Sequence, residues 1–98
     1  MEGLEKAKNS LEIIKTNFEF ILKLAAADLS EGQSEEEMVV AISEIIKKTM
    51  NEIDPSFQVD FLDRFTNNSS HIKLLSDPAS AQKRIDLAID LYTKQNTQ

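Results

Sequence analysis

Cysteine and tryptophan are absent from this 98-residue chain, and histidine occurs once. Without a thiolate there is no zinc ribbon, no disulfide framework and no cysteine nucleophile. Glycine and proline occur twice each. Two glycines cannot supply a dinucleotide fingerprint or a phosphate-cradling loop, which need bare backbone at several positions. Aromatic residues make up 6%, few for a surface that stacks bases. Acidic side chains outnumber basic ones by 17 to 11, for a formal charge of −6, a balance that repels a phosphate backbone. The longest apolar stretch, Phe20 to Leu29, is interrupted by Lys23 and Asp28 and falls far short of the ~20 residues that cross a membrane. The first residues lack the basic start and apolar run of a secretory signal, and Gly3 stands one place too late for myristoylation. The expectation is a soluble, cytoplasmic protein.

What is present is ordinary for a folded domain: 41% hydrophobic and 29% charged residues. Residues 1–98 are read as a single domain, with a frayed tail at about 95–98. From Leu4 onward, Leu4, Ala7, Leu11, Ile14, Phe18, Ile21 and Ala25 recur at spacings of three and four. They share one helical face. Ile13, Phe20, Leu24 and Ala27 widen that face, which suits a helix packed against two neighbours. The first helix is predicted over about 4–29.

Gly32 can take the left-handed conformation that ends a helix. Ser34 followed by Glu35, Glu36 and Glu37 then spells a capping box, with Glu37 reaching back to the Ser34 amide. It opens a helix over about 35–53 that buries Val39, Ile42, Ile46, Met50 and Ile53. Asp54-Pro55 is a cap-plus-proline start. Phe57, Phe61 and Phe65 follow at intervals of four, giving a third helix over about 55–66. Asn67 to Ser70 reads as a polar loop, and 71–75 as a short helical turn. Ser76-Asp77-Pro78 repeats the start signal, opening a helix over about 78–94 that buries Ala81, Ile85, Ala88, Ile89 and Tyr92. No segment alternates like a strand. The predicted fold is all-α, a small antiparallel bundle of about four helices.

Candidate chemistry is sparse. His71 alone has an unperturbed pKa near neutrality, but no nucleophile elbow accompanies it. Asp86 with Asp90, and Asp60 with Asp63, stand at helical spacing. A di-iron bundle, however, needs two Glu-x-x-His motifs, and a calcium loop needs a denser run of acids. Asp60 and Arg64 fit a surface pair. The sequons at Asn67 and Asn68 read as loop residues. No catalytic, cofactor-binding or metal-binding residue is assigned, and direct nucleic-acid or membrane binding is not expected.

Charge is the uneven feature. Residues 1–30 carry five acids and four bases, and residues 55–98 carry five of each. Residues 31–54 carry seven acids and two bases. Five of the six net negative charges therefore fall on the second helix and the loop before it. Glu31, Glu35, Glu36 and Glu37 form the expected docking patch for another protein with a basic surface. The first helix is also longer than its neighbours, which leaves part of its stripe for a second copy to cover in a homodimer. In size, lack of cysteine and helical make-up the chain is similar to small bacteriocin immunity proteins and to phage-encoded inhibitors of bacterial defence, examples of small helical proteins that act by binding. That likeness assigns no residue a role. The expected function is a non-enzymatic binding module, an inhibitor, antagonist or adaptor. The alternative is a structural oligomer subunit assembled through its first helix.

Overall fold

The apolar repeat of the first segment produces α1, Glu2–Ala26, in a computed structural model that describes residues 2–29, 32–65 and 70–96. Ile14, Phe18, Ile21, Leu22 and Ala25 are buried. Leu4, Leu11 and Phe20 stay exposed, so both stripes are covered only in part. The helix ends three residues before the expected Leu29. The cause lies in the last helix: Arg84 Nη1 donates to the carbonyl oxygens of Ala25 and Ala27 at 2.8 and 3.0 Å. These carbonyls, left over at a helix end, are satisfied from outside rather than by further turns.

Gly32 takes φ +87°, the left-handed conformation expected of it. Ser34 then caps α2, Glu35–Glu52, by accepting from the Glu37 amide at 3.1 Å. The return arm of the capping box does not form among the described residues, and Glu37 stays exposed. Met38, Val39, Ile42, Ile46, Met50 and Ile53 enter the core as the spacing predicts. Three ties set α2 antiparallel to α1. The Asp54 amide donates to Ser10 Oγ at 3.1 Å, Asn17 Nδ2 donates to Thr49 Oγ1 at 2.8 Å, and Arg84 pairs with Glu35 while holding the end of α1.

The predicted third helix is shorter and differently built. Asp54 Oδ1 accepts from the Ser56 amide at 3.0 Å and from its hydroxyl at 2.8 Å. Pro55–Phe57 form a 3-10 turn, closed by the Phe57 amide on the Asp54 carbonyl at 2.9 Å. Helix α3, Gln58–Asp63, follows and tightens at its end into bonds of the same three-residue type at Arg64 and Phe65. The tighter pitch takes Phe57 out of line with the other two phenylalanines. Phe61 and Phe65 are buried edge-to-face at 5.2 Å, and Phe57 is only half-buried. The Phe65 carbonyl is satisfied by Gln82 Nε2 at 2.8 Å. Helix α4 is one turn, Ser70–Lys73, which buries Ile72. Asn67, Asn68 and Ser69 lie outside the described residues.

Helix α5, Pro78–Asn96, starts on the Asp77 cap, which accepts from the Ser80 amide at 3.3 Å. It runs past the expected Lys94 to Asn96; the Lys94–Asp90 pair at 3.0 Å supports that last turn. Residues 97 and 98 lie outside the described residues. Helix α5 packs most extensively on α2, and both pack on α1. The expected small all-α bundle is what forms, with three long helices and the short α3 and α4 completing it. No strand occurs among the described residues. No helix among them is long and apolar enough to cross a membrane.

Candidate functional site at the start of α2

The capped start of α2 places Glu35, Glu36 and Glu37 on successive sides of one turn, where the helix dipole favours negative charge. Rotation by about 100° per residue gives them different fates. Glu35 turns inward and pairs with Arg84 Nε at 3.6 Å. Arg84 is itself largely buried and holds the end of α1 with Nη1. Glu35 therefore joins three helices, with its side chain 39% exposed. Glu36 and Glu37 are exposed and have no ion-pair partner among the described residues. Glu31 lies outside the described residues. Of the expected patch, Glu36 and Glu37 are the carboxylates without an ion-pair partner among the described residues.

Beside them the fold opens a groove that the sequence reading missed. Val39 and Val40 of α2 face Leu87 and Leu91 of α5 across a cavity of about 460 Å³, bordered by Glu35, Glu36 and the Asp90–Lys94 pair. Val40 is 48% and Leu87 44% exposed, so the floor is open to solvent. A second hollow of about 370 Å³ lies against Ser34, Glu36, Glu37 and Val40. Leu87 is exposed and Leu91, one turn on, is partly buried at the edge of the core. Their i, i+4 spacing beside the equally spaced Asp90 and Lys94 was the available signal: an apolar strip flanked by charge.

The remaining candidates settle into structural contacts. His71 is exposed, and its ring stands edge-on to Phe18 at 5.3 Å. Asp86 accepts from Gln82 at 2.7 Å, Asp90 is taken by Lys94, and Asp60 pairs with Arg64 at 3.4 Å as expected. No group of three or more potential metal ligands occurs among the described residues. The Ser56 amide and then its hydroxyl hold the Asp54 carboxyl below the usual aspartate range. At Asp77 the Ser80 hydroxyl and then its amide do the same. Both shifts belong to helix caps. No protein family, curated protein or solved structure matches this chain.

Proposed function

We propose that this protein is a small non-enzymatic helical module that binds another protein, as inhibitor, antagonist or adaptor, through the first turns of α2. The observation that carries the reading is the pair of exposed, unpaired carboxylates, Glu36 and Glu37, at the rim of an apolar groove. The concentration of net charge on residues 31–54 gives this side of the molecule a field that steers a basic partner. Rim charges of this kind act chiefly on association rate and salt dependence. The test begins by capturing the partner from the native host with the wild-type chain. The E36K/E37K double variant is then titrated against that partner. Losing two surface ion pairs of up to ~1 kcal/mol each predicts affinity about tenfold lower at low salt, with a flatter salt dependence. Unchanged affinity and an unchanged salt slope sink the reading.

A second reading has its own observation. Leu4 and Leu11 belong to the same stripe as Ile14 and Phe18, yet they are 66% and 46% exposed. A second copy related by a twofold axis could cover them, making the chain a homo-oligomer subunit. Light scattering across a concentration series decides: a strictly monomeric mass at tens of micromolar ends this alternative.

A further inference from the structure

We infer that the groove between α2 and α5 receives the apolar face of a basic amphipathic helix contributed by another protein. This rests on the protein-binding reading above and adds the seat, the shape and the chemistry of the occupant. The lining is mostly apolar, with Val39, Val40, Leu87 and Leu91 between the charged Glu35, Glu36, Asp90 and Lys94, and none of the buried polar atoms left without a hydrogen bond belongs to a residue that lines it. Between those charges the complementary group is an aliphatic side chain. Leu87 and Leu91 lie one turn apart on α5, a spacing of about 6 Å along the axis. That matches side chains at i and i+4 of a third helix laid into the groove between two others.

Charge selects which helix. Along α2, Glu36 stands one turn before Val40 and Glu44 one turn after it, both exposed. Glu37 borders the adjoining hollow. None of the three has an ion-pair partner among the described residues. On the α5 side Asp90 and Lys94 neutralise each other, and the exposed Lys83 and Asp86 offset each other; along α2, the exposed Lys48 follows Glu44 one turn on, away from the groove lining. The unpaired acids therefore flank the groove along α2, and the lysines or arginines of the incoming helix belong on that flank. A second copy of this chain is disfavoured in one of its two twofold arrangements. Twofold closure with the axis across the groove would bring the Glu36–Glu37–Glu44 row against its own image, and like charges in contact are a device against wrong partners; closure with the axis along the groove would set that row over Lys83 of the other copy, and the mass measurement below tests it.

The experiment uses the full chain and a synthetic amphipathic helix with leucines at i, i+3, i+4 and i+7 and lysines along one flank. Its counterpart carries glutamates in place of the lysines. Amide shifts recorded by NMR should move at Val39, Val40, Leu87 and Leu91, with an affinity that falls as salt is added. The glutamate peptide should bind at least about tenfold more weakly. The V40Q/L87Q variant replaces two half-exposed side chains, and its spectrum should show an intact fold. It should bind the lysine peptide about tenfold more weakly. Shifts that cluster elsewhere, equal binding of the two peptides, undiminished binding by V40Q/L87Q, or no saturable shift each overturn the inference. So does a concentration-dependent doubling of mass that V40Q/L87Q abolishes, since the occupant would then be a second copy. A native partner lost by E36K/E37K but kept by V40Q/L87Q would overturn the groove and leave the acidic surface standing. A partner kept by both would overturn both.

Discussion

The two halves of α1 carry one apolar repeat and reach opposite ends. From Ile14 to Ala25 the stripe is buried; at Leu4 and Leu11 it faces solvent. The residue types hardly differ, so the cause is what stands opposite. The C-terminal half meets α2 and α5, and its last carbonyls are held by Arg84. The N-terminal half is tied by Ser10, which accepts from the Asp54 amide beyond the end of α2. Helix α1 has 25 residues, against 18 in α2 and 19 in α5, about 10 Å more length than either. Ser10, beside Leu11, is buried, so α1 is covered at this level too: a stripe tells which residues can be buried, and the rotation of the helix against its partners decides which of them are.

The largest effect expected follows from that difference. Ile14→Ala should cost about 2–5 kcal/mol, because it opens a cavity where the core cannot close around it. Leu11→Ala, three residues away on the same face, should stay within about 0.5 kcal/mol, as exposed substitutions do. Urea unfolding with an unchanged m-value measures both. Equal costs would mean that the two halves are equally packed. A Leu11→Ala cost that grows with protein concentration would show that another copy covers the stripe.

A smaller effect is expected at Arg84, the residue that anchors the buried half. Arg84→Met keeps much of the aliphatic stem and removes the bonds to Ala25 and Ala27 and the pair with Glu35. Charge-assisted bonds of this kind predict a loss of about 2 kcal/mol. Hydrogen exchange should quicken in the last turn of α1 and the first turn of α2, while amides around Ile14 keep their relative protection. Uniform quickening along α1 would remove Arg84 from this local role.

The same contrast explains what could be read in the sequence. Caps and punctuation act within a few residues, so Ser34, Asp54-Pro55 and Asp77-Pro78 announced their helix starts, and Gly32 its turn. The buried faces of α1 and α2 followed from spacing alone. Arg84 did not, because its carbonyl partner Ala27 lies 57 residues away. With it went the true end of α1 and the distinction between Glu35, turned to Arg84, and Glu36 and Glu37, left in solvent. Leu87 and Leu91 were passed over because the exposure of an off-stripe residue depends on how α2 and α5 are rotated against each other. Phe57 fell out of its row because one 3-10 turn shifts the register, and no residue type marks that choice over an α-turn.

The smallest effect concerns acid, and it acts at both ends of the bundle. Asp54 and Asp77 have carboxyls held below the usual range because their ionised forms accept bonds from Ser56 and Ser80; Lys6 adds to this at Asp54, and Arg84 at Asp77. The folded pKa of each is therefore lower than the unfolded one. Below the ordinary aspartate value of about 3.9 the unfolded chain binds more protons than the folded one, so stability rises with pH through that window. The contribution is fully present above that value and is lost as pH falls through the folded pKa. Asp54→Asn and Asp77→Asn keep a capping oxygen and remove the charge. Each variant should melt below wild type at neutral pH and converge on it toward about pH 2. Melting curves that stay parallel down to that pH would mean that the caps act through hydrogen bonding alone. Because Lys6 lies on the exposed half of α1 and Arg84 anchors the buried half, Asp54→Asn should loosen amides near Ser10. Asp77→Asn should loosen those at the start of α5.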